Sequence, residues 1–279
     1  QILAVLLVLF LPLTKIPLLS DQYICMVISV IISYCLLDNI FPKETVTGPS
    51  PEKPSFSVLS FLHYFMLFQA AQWIGGIINI PIMTLFTKLG LNLSFSEEAA
   101  RGGSLTNAPM LFYTILVAPL MEELVFRGIF YRRFRSYGKY FAAFYTAFFF
   151  ALMHSNFLQF APAFSMGIIL FFIRDRHGLP YSILLHFSNN LLAIVVNNLS
   201  QDSTLIQGIY GSILLAGMFY GIYFILKNRT HFAEDYQYEK EHSLSLKQFF
   251  SSPLLWVDIV LMVALACVSL FVPMDAGAM

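Results

Sequence analysis

PMLFYTILVAPLMEELVFR, from residue 109 to residue 127, is an apolar stretch interrupted by two adjacent glutamates, Glu122 and Glu123. An ionisable group at the depth of the bilayer core costs about 2.5 to 3.5 kcal/mol on insertion scales. Two carboxylates and Arg127 in one such segment therefore need a reason. Two later apolar segments also carry polar side chains, at His154 and at His186 to Asn190. We expect these three segments to form one site inside the membrane.

The composition is that of an integral membrane protein. Of the 279 residues, 58% are hydrophobic and 11% are charged, and the mean hydropathy is +0.72. Soluble domains carry about 25% charged residues. Lys and Arg balance Asp and Glu at 16 each, so we predict the lipid bilayer and no nucleic acid as a partner. The apolar runs have helical length and no ten-residue alternation that would indicate a barrel.

The predicted fold is therefore all-α, a polytopic transmembrane bundle of about eight helices in a single membrane domain over residues 1–279. A short apolar run at Ile2 to Leu13 comes first, and the variable helices reach residue 87. The candidate spans that follow the first run are 22–42, 56–87, 109–131, 139–156, 157–173, 179–198, 205–226 and 254–272. A catalytic core is predicted at about 109–198.

The basic residues are distributed unevenly between the two sides of the predicted bundle. With alternate crossings, the loops 43–55, 132–139, 174–177 and 227–252 share one side and hold twelve Lys and Arg, against three on the other side. The positive-inside rule places the first set in the cytoplasm. We expect a multi-pass protein of a prokaryotic plasma membrane, with 227–252 as a solvated cytoplasmic loop or surface helix. A docking arm for a partner protein is the alternative for that loop, and 88–108 is open between a short helix and a loop.

The helical period separates the roles of the two glutamates. Glu123 and Arg127 are four residues apart and share a face, so they can form an ion pair along the helix. Glu122 is rotated by about 100° from Glu123 and points elsewhere. We predict Glu123 and Arg127 as supporting residues and Glu122 as the carboxylate that faces a cavity.

The other two clusters supply the groups that peptide hydrolysis needs. Phe150 and His154 are four residues apart, as are His186 and Asn190, so each pair lies on one helix face. Glu122 with His154 could hold and deprotonate a water molecule. His186 and Asn190 could donate hydrogen bonds to the oxyanion of the tetrahedral intermediate. The predicted catalytic residues are Glu122, His154, His186 and Asn190, acting on a peptide or protein at the membrane.

Other chemistries fit the same residues less well. One Glu and two His are a ligand set for catalytic zinc, so a zinc site of Glu122, His154 and His186 stays open, although Asn190 has no task in it. We favour catalysis without a metal or cofactor. Serine and aspartate intramembrane proteolysis lack their motifs. A non-catalytic scaffold or bacteriocin-immunity protein and a proton-coupled transporter remain the non-protease alternatives.

The three clusters, in this order on successive apolar segments, resemble the CPBP family of CAAX proteases and bacteriocin-processing enzymes, also called Abi. The resemblance rests on Glu122-Glu123-x-x-x-Arg127, Phe150-x-x-x-His154 and His186-x-x-x-Asn190, with Phe126-Arg127-Gly128 and Leu184-Leu185 as flanking agreements. It implies an intramembrane glutamate endopeptidase. By analogy with the CAAX-processing members, Glu122 and His154 would activate water, and His186 and Asn190 would form the oxyanion hole.

One geometric difficulty accompanies this prediction. Counted from the expected cytoplasmic ends of their helices, His186 is about six residues in and His154 about fifteen, which corresponds to about 9 and 22 Å. Straight helices that end at a flat interface would keep the two rings apart. We therefore expect the 132–139 turn to lie deep or the 179–185 segment to dip into the protein.

Overall fold

The computed structural model describes residues 22–40, 54–101, 108–200, 203–241 and 249–270. These residues form helices and connecting turns without a strand, which confirms the predicted all-α bundle. The predicted run Ile2 to Leu13 and the loop segments 43–53 and 242–248 lie outside the described residues. The helices are α1 (Gln22–Ile40), α2 (Val58–Lys88), α3 (Ser94–Arg101), α4 (108–134), α5 (Lys139–Met153), α6 (Phe157–Arg176), α7 (Leu179–Leu199), α8 (Thr204–Glu241) and α9 (Pro253–Ser269).

Four of these helices, α2, α6, α7 and α8, are long and apolar enough to cross a membrane, and α5 and α9 are shorter apolar helices. A bilayer core of about 30 Å needs about 20 helical residues. Large apolar side chains remain exposed along the outer faces of α2 and α8, among them Ile80, Leu205 and Phe219. Such surfaces suit lipid rather than water, and the chain is a multi-pass membrane protein.

Helix α4 carries the glutamates and has an irregular backbone. Two π-helical segments, Tyr113–Val117 and Leu124–Phe130, lie on either side of the regular segment Ala118–Glu123. A π-helical turn widens the hydrogen-bond ladder and is frequent at functional sites. The chain then turns sharply into α5 at Gly138, whose φ of 102° is readily adopted only by glycine.

The interior of the bundle is formed where α6 packs against α2 and α5, and where α8 packs against α2. Two glycines bring α8 close to α2. A Cβ on Gly217 would lie 2.5 Å from the Cβ of Gln69, and one on Gly221 would lie 2.6 Å from the Cβ of Ala70. Small residues permit this close approach of membrane helices. The buried side chains Phe68, Leu170 and Leu185 join α2, α6 and α7 beside this contact.

Helix α8 differs most from its predicted length. The apolar pattern ends at residue 226, but the helix continues for 38 residues to Glu241. At 1.5 Å per residue this is about 57 Å, nearly twice the thickness of a bilayer core. The polar part, residues 227–241, therefore extends beyond the apolar layer. It is a helix continuous with the membrane span rather than a loop.

Candidate active site

The innermost polar contact is the ion pair between Glu123 and Arg127 of α4. Glu123 Oε1 lies 3.0 Å from Arg127 Nη1, and both side chains have no exposed surface. Arg127 Nη2 also donates to the carbonyl oxygen of Gly167 in α6 at 3.0 Å. Its guanidinium carbon lies 4.5 Å from the ring centroid of Phe150 in α5, within the range of a cation–π interaction. The pair predicted from the four-residue spacing is present, and it contacts two further helices.

His186 of α7 lies between the two glutamates. Its Nδ1 is 3.1 Å from Glu123 Oε1, and its Nε2 is 3.6 Å from Glu122 Oε2. An ionised carboxylate only accepts hydrogen bonds. Nδ1 therefore carries a proton and its N–H donates a hydrogen bond to Glu123, and in a neutral ring Nε2 is the nitrogen without a proton. Glu122 is the more accessible carboxylate, with 19% of its side chain exposed.

His154 reaches this cluster through the ring of Phe150. The Phe150 ring centroid lies 5.2 Å from that of His154 and 5.6 Å from that of His186, and both contacts are edge-on. The two histidines thus lie around one aromatic side chain, despite their different positions along their helices. His154 Nδ1 donates to the carbonyl oxygen of Phe150 at 2.9 Å, since a carbonyl only accepts. In a neutral His154, Nε2 is then the free acceptor.

His154 occupies a tight turn between α5 and α6. It is the C-cap residue of α5. Ser155 follows with a φ of 48°, which is uncommon for a residue other than glycine. Asn156 then caps α6 by accepting from the N–H of Leu158 at 2.9 Å. The amide of Asn156 donates to the carbonyl of Ser96 in α3 at 2.9 Å. The short helix α3 is therefore fixed beside the turn that presents His154.

Asn190, predicted as an oxyanion donor, contacts the backbone of α4. Its Nδ2 donates to the carbonyl oxygen of Thr114 at 3.0 Å, inside the first π-helical segment of α4. An amide NH₂ group has two N–H bonds, so one remains for another acceptor. The neighbouring Asn189 is 5% exposed and accepts from Gln72 of α2 at 3.2 Å. These amides hold α7 against α4 and α2.

The zinc site left open by the sequence would be formed by Glu122, His154 and His186. Within the described ranges, no group of three or more His, Cys, Asp or Glu side chains is arranged to hold a metal ion. Glu122, His154 and His186 are all described residues.

The structure brings together Glu122, Glu123, Arg127 and His186 by direct contact, and His154 through Phe150. It holds Asn190 on Thr114. The sequence does not predict the contacts of Thr114, Gly167 or Gln72 at this site. Their roles depend on backbone carbonyls and on contacts between helices that are distant in sequence, and no residue pattern signals them.

The family comparison covers the same part of the chain. Residues 104–192 match the family described as type II CAAX prenyl endopeptidase Rce1-like, which is about a third of the chain. Comparison with curated proteins and with solved structures gave no match. The matched segment contains every residue of the three motifs. It confirms the resemblance predicted from them: residues 104–192 are similar to the Rce1-like CAAX protease family.

Proposed function

We propose that the protein is an intramembrane endopeptidase that cleaves near the C-terminus of a prenylated CAAX-type protein tail, with a glutamate-activated water molecule. The single observation that carries this proposal is the contact of His186 with both glutamates, one in a fully buried ion pair and the other partly accessible. The family match supplies the class of substrate. No metal or cofactor is part of the proposed reaction.

In this mechanism Glu122 is the general base. Its carboxylate accepts a proton from a water molecule, while the free Nε2 of His154 accepts the second hydrogen bond of that water. The water oxygen attacks the scissile carbonyl carbon and forms a tetrahedral intermediate. Glu122 then returns the proton to the leaving nitrogen as the C–N bond breaks. A positioned acid–base group of this kind contributes about 10²- to 10⁴-fold in rate.

His186 can stabilise the oxyanion only in its doubly protonated form. Because Glu123 accepts a hydrogen bond from Nδ1–H, the ring presents Nε2 on the side of Glu122, and Nε2 donates only when it also carries a proton. In that state Glu122 remains ionised as the base, and the imidazolium has a carboxylate at each edge. The second N–H of Asn190 is the other oxyanion donor, with its amide oriented by the Thr114 carbonyl. Loss of one such donor typically costs about 100- to 1000-fold in rate.

The test uses a quenched fluorescent peptide that ends in a farnesylated CAAX sequence, with the purified protein in lipid nanodiscs. Glu122→Gln should reduce cleavage at least about 100-fold while the protein remains folded by circular dichroism. Glu234→Gln is the matched control, since Glu234 is exposed on α8, and it should cleave like the wild type. Cleavage by Glu122→Gln at the wild-type rate would refute the assignment.

Two further measurements separate the alternatives. A zinc chelator should leave the cleavage rate unchanged. Loss of cleavage in the chelator, with recovery when Zn²⁺ is added, would favour the zinc enzyme. An unprenylated peptide of the same sequence tests whether the lipid is recognised. We further propose that the basic loops face the cytoplasm, where prenylated tails are found, and labelling of cysteines introduced into those loops in intact cells would test this orientation.

A further inference from the structure

The polar end of α8 is bound to the turn between α4 and α5. Glu239 accepts two hydrogen bonds from the guanidinium of Arg135, at 3.0 and 2.9 Å. The same carboxylate accepts from the backbone N–H of Lys139 at 2.8 Å, so it caps the first turn of α5 from a distant part of the chain. Asp235 contacts Lys139 Nζ at 2.5 Å and accepts from the hydroxyl of Tyr140 at 2.7 Å.

This contact has the geometry of a specific interaction. Two parallel hydrogen bonds between a guanidinium and a carboxylate fix orientation as well as distance. The Glu239 side chain is 14% exposed and that of Asp235 is 23% exposed. Surface ion pairs with mobile side chains contribute little to stability. Here, however, two carboxylates one helical turn apart both bind groups at the turn between α4 and α5. Residues 227–241 are called the strap below.

A continuous series of contacts joins the strap to the buried ion pair. Arg135 Nε also donates to Asp175 of α6 at 3.3 Å, and the hydroxyl of Tyr131 donates to the same oxygen at 2.6 Å. The guanidinium of Arg174 lies 4.5 Å from the Tyr131 ring centroid, and its Nε donates to the carbonyl oxygen of Arg127 at 3.0 Å.

The residues of this series on α4 and directly after it recur at every fourth position, and the series ends at Glu123. Glu123, Arg127, Tyr131 and Arg135 follow one another along the chain, and their partners come from α6 and from the strap. A displacement of the strap therefore acts on the same helix that carries Glu122. The strap itself lies outside the segment 104–192 that matches the family.

We propose that Glu239 and Asp235 are positioning residues for the endopeptidase site. They hold it in its active geometry through residues 131–139, which form the end of α4, the turn and the start of α5. This inference rests on the proposed function. The strap binds neither substrate nor reacting atoms; it fixes α4 and α5, and α4 carries the general base while α5 presents His154. Residues in a coupled network of this kind change a coupling by amounts equivalent to about 2- to 30-fold.

The experiment compares Glu239→Gln, Asp235→Asn and the double variant with the control Glu234→Gln. All four remove one or two negative charges from the same helix. With the farnesylated peptide, Glu239→Gln should lower kcat by about 5- to 20-fold with KM unchanged, and Glu239→Asp should restore part of it. Glu234→Gln should retain the wild-type kcat and KM.

Salt provides a readout that a purely structural role would not give. Salt screens ion pairs that keep some exposed surface, although it screens them less than fully exposed pairs. Raising KCl from about 0.1 to 0.5 M should therefore lower the wild-type kcat part of the way toward that of Glu239→Gln and leave the variant nearly unchanged. If both respond equally, or if the loss of kcat merely equals a loss of folded protein measured by thermal melting, the proposal is overturned.

Hydrogen exchange separates this inference from the proposed function. Amides of residues 124–139 should exchange faster in Glu239→Gln than in the wild type and in Glu234→Gln, whether or not a substrate is cleaved. Failure of the wild type to cut the peptide would refute the proposed substrate alone. Unchanged exchange at 124–139 in Glu239→Gln would overturn the strap even if Glu122→Gln abolishes cleavage.

Discussion

Removal of both members of the buried ion pair should separate stability from activity. Glu123 and Arg127 have no exposed side-chain surface and lie 3.0 Å apart. Arg127→Met alone leaves the Glu123 carboxylate without its cation. Breaking a buried pair in this way costs about 3 to 5 kcal/mol, a large part of the roughly 5 to 15 kcal/mol that stabilises a typical domain. The single variant should give low yield and an early unfolding transition.

The double variant Glu123→Leu/Arg127→Met contains neither charge. Replacement of a buried ion pair by apolar residues of similar volume is often neutral or stabilising, so the free energy of unfolding should return to within about 2 kcal/mol of the wild type. Activity should not return. His186 loses the acceptor that holds its Nδ1 proton at 3.1 Å, and a displacement of about 1 Å in a catalytic group can cost about 100-fold in rate.

Stability would be measured by titration with SDS in mixed micelles, followed by circular dichroism, and activity by the initial rate on the farnesylated peptide. The expected pattern is an unstable single variant and a stable double variant that cleaves at least about 100-fold more slowly than the wild type. A double variant with near-wild-type cleavage would show that Glu123 has no part in orienting His186. A double variant as unstable as Arg127→Met would refute the account of the ion pair.

Two further changes test the packing and the strap. A Cβ on Gly167 would lie 2.9 Å from the Cβ and 3.0 Å from the Cα of Ala147 in α5, and 3.3 Å from Arg127 Nη2. Gly167→Ala should therefore lower the free energy of unfolding by about 1 to 3 kcal/mol and also lower kcat. The control is Gly76→Ala, where the new Cβ has no atom within 4 Å, and it should be neutral or slightly stabilising in the same SDS titration. Burial raises the pKa of Asp235, but hydrogen bonds and the charge of Lys139 outweigh it and leave the pKa below its ordinary 3.8. The strap should thus be fully bound above that ordinary value and released as the pH falls through the lowered one, seen as faster exchange of residues 227–241; Asp235→Asn should abolish this acid-dependent step, and its persistence would assign the step to another group.

The positions of the helices could be predicted from the sequence because apolar length determines them. Each predicted span from 22–42 to 254–272 coincides with a helix, and the bounds are similar except at the end of α8. The apolar pattern stops at residue 226, while this helix continues to Glu241. The polar end of α8 is stabilised by ion pairs and hydrogen bonds with Arg135 and Lys139 at the α4–α5 turn. Contacts between residues this far apart in the sequence leave no periodic pattern.

The site was predictable in its local pairs and less so in its contacts between helices. The Glu123–Arg127 pair follows from the helical period and is present. The hydrogen bond from His186 Nδ1 to Glu123 depends on how α7 packs against α4. The sequence alone does not show this packing. The hydrogen bond from Asn190 to Thr114 depends on a π-helical carbonyl, and nothing in the residues 113–117 predicts that backbone.

The adjacency of the two glutamates explains how one helix can supply both a buried carboxylate and the partly exposed one proposed as the base. Adjacent residues on a helix diverge by about 100°, so Glu123 is fully buried while Glu122 stays partly exposed. The buried pair contacts three neighbouring helices: Arg127 touches α5 at Phe150 and α6 at Gly167, and Glu123 touches α7 at His186. A shift of any of these three helices relative to α4 breaks a contact made by the ion pair. The contacts made by these two buried charges therefore hold α4, α5, α6 and α7 in fixed mutual positions around the proposed site.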